Sequence, residues 1–449
     1  MLSTHAPRPS LADAAARTPA DRDRFVDLAR ALSVLTVVLG HWTMAGLERS
    51  DDGLRLRNVL EVATWAHPLT WLAQVMPVFF FAAGFTNALA LRSGRTRARA
   101  FIAGRVRRVL APTLVFVPVW LALAVTLPHL GAPARLVDSA STAASMPLWF
   151  LAVYVLVALT APAQYRLHTR HRVAVLAGLA AASAALDVLR IHDIAPAASM
   201  LSFLTVFGFA QELGFWYADG SLTRVRRRAW AGVAAAAVTA LTVVTQVGPY
   251  PVSMVGLPGE DVSNMMPPSV CVVLVGVLQV SLLMLARPMM LRLLDRAPVW
   301  RAVVAVNVLV MPIFLWHLTA YLLAATLLLG GGVPTPALAS GGWWLLKVVW
   351  LALAAAIAIP LVRLMSRVEV RLRWSSVGWA GVIGAVLCAA GLAIIAAAGL
   401  SDPFARGGVP LGGVTVAPAW GVALLGAGAL LVRGRAQATG EPASSTGRS

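Results

Sequence analysis

Arg30 and His41 stand eleven residues apart in ARALSVLTVVLGHW (29–42), a run that is otherwise almost wholly apolar. On a helix they return to nearly the same face, about 16 Å apart along the axis. A guanidinium holds anionic groups. A histidine is the side chain best matched to proton transfer near neutral pH. Together on one face they point to a path that holds an anion at one end and removes a proton at the other. Each alone has a plainer reading. Arg30 would be a topology anchor snorkelling to the headgroups, and His41 an interfacial histidine beside Trp42. Asp27, one turn before Arg30, is placed either to orient that guanidinium or to form an ordinary surface ion pair with it.

The chain around these residues reads as a membrane protein. Of its 449 residues 59% are hydrophobic and 12% charged, with a mean hydropathy of +0.77. A soluble domain carries about 25% charged residues. Twelve apolar stretches are visible, at about 26–45, 67–90, 109–127, 146–161, 172–189, 199–218, 229–247, 267–286, 302–325, 343–362, 378–399 and 416–432. Most approach the length that crosses a bilayer. Backbone groups in lipid must be satisfied within their own segment, which makes these helices. The alternating short segments of a barrel are not seen. The expected fold is all-α, a polytopic transmembrane helical bundle of about 12 spans. Residues 1–23 read as a disordered lead with no signal-peptide pattern, and 433–449 as a disordered tail.

The formal net charge of +18 is nearly all arginine, in short loops between apolar stretches, which speaks against nucleic acid. The loops after the even-numbered stretches, with the tail, hold 25 arginines; the opposite loops hold six arginines and nine acids. Positive residues stay on the cytoplasmic side. Both termini are therefore expected in the cytoplasm, in a multi-pass protein of the cell membrane. The longest outward loops, LERSDDGLRLRNVLEVATWA and GPYPVSMVGLPGEDVSNMMP, are too short for a soluble domain. Chemistry must lie in the bundle or at its mouths.

Further candidates are few. Residues 92–108 carry seven arginines, Arg92, Arg95, Arg97, Arg99, Arg105, Arg107 and Arg108, suited to phosphates or simply to topology and anionic lipid. Glu212 is an acid near the inner end of the sixth stretch, marking a cavity wall or an arginine's partner. Asp187 is similar but nearer the other end. His317 is either a packing histidine or an assistant in a polar core. His67 reads as ordinary interface, and the FFF run at 79–81 as packing or lipid-facing material. Cys271 and Cys388 read as small apolar fillers. No His/Asp/Glu cluster has metal-ligand spacing, and no metal is expected.

RFVDLARALSVLTVVLGHW resembles the opening of the membrane acyltransferase family 3, the bacterial O-acyltransferase-like integral membrane proteins. That family starts with Asp-x-x-Arg, then ten residues, then histidine, matched by Asp27, Arg30 and His41. VMPVFFFAAGF (75–85) resembles its phenylalanine-rich second helix, with Ala-Gly-Phe for the usual Ser-Gly-Phe. RVRRVLAPTLVF (105–116) is similar to its Arg-Arg-Leu-x-Pro element, MPLWFLAVYVL (146–156) to its fourth helix, and PIFLWHLTAYLL (312–323) to its late histidine segment. The resemblance covers roughly 20–365 and implies a ten-helix acyltransferase-like core over 24–365, with two additional transmembrane helices over 366–432. It implies transfer of an acyl group, often acetyl from acetyl-CoA, to a hydroxyl of a carbohydrate-type extracytoplasmic or lipid-linked acceptor. It implies His41 as catalytic base and Arg30 as the donor-binding cation, favours Arg105 and Arg108 among the loop arginines, and raises His317. The CoA thioester is a substrate, and no resident cofactor is expected. The competing class is a transporter or exporter of a small polar or acylated metabolite. Its expected internal repeat is missing, since 229–432 has no counterpart of ARALSVLTVVLGHW.

Overall fold

The computed structural model describes residues 18–19, 22–50, 53–94, 97–260, 262–368, 378–401, 409–411 and 414–433. Most of the expected lead and the tail after Arg433 lie outside them. Among the described residues ten helical segments are long and apolar enough to cross a membrane. The chain runs through α1 (Arg24–Met44), then a hairpin of β1 (Ala45–Ser50) and β2 (Gly53–Asn58). Next come α2 (Met76–Arg92), α3 (Ala98–His129), α4 (Ala134–Ser145), α5 (Leu148–Ile191) and α6 (Ser202–Ala218). These are followed by α7 (Arg227–Gln246), α8 (Val270–Leu294), α9 (Ala297–Val308), α10 (Val310–Gly330) and α11 (Gly341–Val368). A final pair, α12 (Trp379–Ala398) and α13 (Pro418–Arg433), is joined through β3 (Val409–Leu411) and β4 (Val414–Val416).

Local chemistry sets these boundaries. The Asp23 carboxylate accepts from the Val26 amide and starts α1. The stretch expected as one helix over 67–90 is interrupted. A 3-10 turn (Thr64–Leu69) and a helical turn (Thr70–Ala73) end at Gln74, and α2 begins only at Met76, with Pro77 in its first turn. The break is stabilised from α8, where the buried Gln279 amide donates to the carbonyls of Trp71 and Gln74 at 2.9 and 3.0 Å.

Two further differences matter for the site. QYRLHTRHR (164–172) reads as a loop in the sequence, yet the helix continues through it and breaks only at His171, with φ −141° and ψ 41°. The chain folds back there. Gln164 and Leu179 both lie against Gly208 of α6, whereas fifteen residues of straight helix would separate them by about 22 Å. The stretch expected over 302–325 is two helices, α9 and α10, broken at Leu309 (φ −99°, ψ 10°).

Packing is closest where side chains vanish. A Cβ at Gly84 would lie 2.2 Å from the Gln211 carbonyl oxygen, and one at Gly214 would lie 2.2 Å from that of Phe81. The backbones of α2 and α6 therefore touch, as small residues allow between membrane helices. Phe80 and Phe81 are fully buried beside this contact, Phe80 stacking on Phe207 at 4.6 Å. On the opposite end of the bundle Asp187 accepts from Tyr250 (3.0 Å), the Val270 amide (2.7 Å) and Arg190 (3.1 Å), tying the 248–269 segment down. The final pair α12 and α13 packs against α3 and α5. Gly214→Val is expected to force α2 and α6 apart and destabilise by more than about 2 kcal/mol. Gly232→Val, with open space at that Cβ, is expected to stay within about 1 kcal/mol. Thermal unfolding in detergent compares the two.

Candidate active site

Arg30 and His41 both face α10. Arg30 opens on a cavity of about 530 Å³ at the end of the bundle where α2 ends and α3 begins. Arg105, Arg108, Tyr154 and Asn307 share its wall, as does the first turn of α10. Among the described residues no carboxylate lines it, so the cavity carries three guanidinium groups and a helix N-terminus, an environment suited to anions. Each arginine has a reason for its place. Asp27, buried at the start of α1, accepts from Arg30 at 3.4 Å and is also paired with Arg22. The buried Arg105 donates to the Thr86 carbonyl at 3.1 Å and stacks over Phe101, 5.1 Å from the ring centre. Arg108 is exposed at the rim. Seen from α9, Asn307 donates to the Asp27 carbonyl at 2.9 Å, holding the break at Leu309 against α1.

His41 lies in the last turn of α1 and meets His317 of α10, with Nδ1 2.8 Å from Nε2. The ring planes differ by only 19° and the centroids are 5.1 Å apart, so the rings meet edge to edge in the geometry of an N–H···N bond. The tautomers follow from the partners. Nδ1 of His317 lies 2.7 Å from the Phe314 carbonyl, which can only accept, so that nitrogen carries the proton. In the neutral ring Nε2 of His317 is then an acceptor, and Nδ1 of His41 must donate to it. This leaves Nε2 of His41 with its lone pair free and no hydrogen-bond partner among the described residues. A base held in one tautomer by a second group is the arrangement that general-base chemistry needs.

The neighbouring groups fix that geometry. The Trp42 indole donates to the His317 carbonyl at 2.9 Å, pinning α1 to α10. Lys347 of α11 is buried against the same helix end. Its ammonium reaches the carbonyls of Trp42 (3.3 Å) and Ala45 and the Tyr321 hydroxyl (3.1 Å). It also sits 4.5 Å from the Trp343 ring centre and 5.7 Å from that of Trp350. A cation at a helix C-terminus offsets both the dipole and the unpaired carbonyls. Sequence reading passed over Lys347, although its signal was present: it is the one lysine of the chain, set inside the apolar run GGWWLLKVVW.

The other candidates separate from this pair. Glu212 is fully buried and contacts neither Arg30 nor His41. Its oxygens meet Nδ1 of His168 at 2.6 Å and the Gln164 amide at 2.9 Å, so its partners are not arginines. His168 was missed because it lies in the segment read as a loop. Asp27 and His317 do join the site. His67 sits apart, its Nε2 2.8 Å from the Leu60 carbonyl. Among the described residues no group of His, Cys, Asp and Glu is arranged to hold a metal. Between cavity and histidines stand aromatic rings. Phe79 and Phe150 line the cavity, and Phe314 packs 5.0 Å from Phe150 and 6.1 Å from His317.

A multi-pass helical membrane protein with an arginine-lined cavity and an oriented histidine on one helix carries groups suited to transfer chemistry. The chain belongs to the membrane acyltransferase family 3: the family model described as acyltransferase domain matches residues 23–363, about three quarters of its length. It is a membrane-bound acyltransferase. No curated protein and no solved structure matches it. The match spans α1 to α11, and α12 and α13 lie beyond it.

Two outcomes follow, one for acyl transfer and one for stability. His317→Leu removes the acceptor from His41 Nδ1–H and is expected to lower kcat by about 10- to 100-fold, the worth of a hydrogen bond to a charged group. The donor KM stays close to wild type. Lys347→Met is expected to lower unfolding stability by about 2 kcal/mol. Lys347→Arg does not restore it, because a planar fork does not match this set of acceptors. Steady-state kinetics and thermal unfolding in detergent read these effects.

Proposed function

We propose that this enzyme moves an acyl group, acetyl in the first instance, from a cytoplasmic CoA thioester to a hydroxyl of an extracytoplasmic or lipid-linked carbohydrate-type acceptor. The observation that carries the reading is the pairing along α1. Three arginines gather around a cavity at one end, and His41 presents a free Nε2 at the other. An anionic donor enters where the cations are, and the acceptor hydroxyl meets the base.

The residues support a balanced sequence. Nε2 of His41 takes the hydroxyl proton as the acceptor oxygen attacks the thioester carbonyl. The carbon–sulfur bond breaks when the tetrahedral intermediate collapses, and the proton leaves with the CoA thiolate. During the step the imidazolium of His41 donates from Nδ1 to His317, which disperses the charge. Arg30, Arg105 and Arg108 hold the phosphates of the donor and keep its thioester arm directed along α1. The Phe150–Phe314 contact lies across that path, so rotation of these rings is part of productive donor binding.

In this reading the bundle has twelve crossings: α5 counts as two because it folds back at His171, and the short α13 counts as one. The arginine-rich loops support a cytoplasmic position for both termini. Residues 24–365 form the catalytic unit and 366–432 a two-helix addition.

The test supplies acetyl-labelled CoA to membranes holding wild type or His41→Ala at equal protein level. Label incorporated into glycan and lipid fractions is expected to fall by about 10²- to 10⁴-fold in the variant. Equal incorporation in both would remove His41 as the base.

A further inference from the structure

A second cavity of about 320 Å³ opens at the same end of the bundle as the Arg30 cavity, where α2, the first half of α5, and α6 end. Its wall carries three guanidinium groups, Arg92, Arg170 and Arg172. Arg172 is balanced by Asp219 at 3.1 Å. Arg92 and Arg170 have no carboxylate partner among the described residues and project from exposed positions. The deeper wall is rigid and partly aromatic. His168 is only 4% exposed, fixed through Nδ1 to the fully buried Glu212, while its Nε2 lies 3.5 Å from Asp219. Tyr165 and Phe215 stand beside it, with ring centres 5.4 Å apart and planes at 85°.

We infer that this cavity takes the adenosine 3′-phosphate end of the CoA donor, an inference that rests on the acyl-CoA reading above. The chemistry of the wall matches in three respects. Two unbalanced guanidiniums suit a phosphate dianion. The half-buried Tyr165 ring, backed by the fully buried Phe215, gives a purine an apolar surface. Asp219 offers an acceptor to an amino or hydroxyl group, which a bare phosphate does not use. Position agrees as well. Thr86 lines the Arg30 cavity and Arg92 lines this one; along α2 they are about 9 Å apart and turned about 120° from each other, so the donor passes around the end of α2. A donor whose nucleotide rests here crosses Arg105 and Arg108 with its diphosphate and directs its pantetheine arm past Arg30. The headgroup of an anionic lipid shares the phosphate but has no ring for the aromatic wall.

The probes are adenosine 3′,5′-bisphosphate and adenosine 5′-phosphate, titrated against the full chain in nanodiscs of neutral lipid. Wild type is expected to prefer the bisphosphate by at least about tenfold. The preference should vanish in Arg92→Ala/Arg170→Ala and survive in Arg107→Ala, whose exposed arginine lines neither cavity. Persistence of the preference in the double variant, or the absence of nucleotide binding to wild type, overturns the assignment. So does phosphatidylglycerol that binds through the two arginines without being displaced by the bisphosphate. Label transfer from acetyl-CoA is measured alongside. Wild type that prefers the bisphosphate through these arginines but transfers no label supports the subsite and counts against the acyl-transfer reading. Transfer without an arginine-dependent preference counts against the subsite alone.

Discussion

The hydrogen bond from His41 to His317 joins the first helix to the tenth inside a medium that offers polar groups almost no other partner. Buried in such surroundings, an imidazole with a misplaced proton would leave a donor or an acceptor unmet, at a cost of about 1–3 kcal/mol. The Phe314 carbonyl therefore decides the protonation of His317, His317 decides that of His41, and the free lone pair falls on the outer nitrogen. Chemistry at the site is thus set by backbone geometry one turn away on α10. Trp42 and Lys347 serve the same end, because each converts an open valence at the end of α1 into a tie to a neighbouring helix.

The same constraint organises the arginine-rich end. Asn87 donates to Gln211, Gln211 to Gln164, and Gln164 to Glu212, each at 2.8–2.9 Å, and Glu212 meets His168. This chain crosses α2, α5 and α6 where Gly84 and Gly214 bring backbones into contact. Close helix approach and polar pairing reinforce each other there, since amide side chains of fixed length reach only across a narrow gap. The guanidiniums of Arg30 and Arg105 are anchored from behind by Asp27 and the Thr86 carbonyl, which leaves their open faces to the cavity.

Much of this was legible in the residues. The spacing of Asp27, Arg30 and His41 placed all three on one helix, and hydropathy located the apolar segments, although α3 starts eleven residues before the expected 109 and α8 ends eight after 286. The breaks were not legible. Nothing in the composition of 67–90 or 302–325 announces the interruptions at Gln74 and Leu309, because they depend on Gln279 and Asn307 arriving from distant segments. The basic run at 164–172 reads as a loop by charge, yet Gln164 and His168 find partners on α6 that keep them helical. Pairing of His41 with His317, 276 residues away, likewise depends on tertiary packing. Lys347 was legible in principle, as an isolated charge in an apolar run, but its role depends on three acceptors that only the fold assembles.

The most direct measurement on the central pair is nitrogen-15 NMR of histidine-labelled protein in lipid, with His41 assigned through its substitution. The expected spectrum shows His41 protonated at Nδ1 and bare at Nε2, with His317 also protonated at Nδ1. A His41 ring protonated at Nε2 and bare at Nδ1 would contradict the orientation on which its proposed role as a base rests.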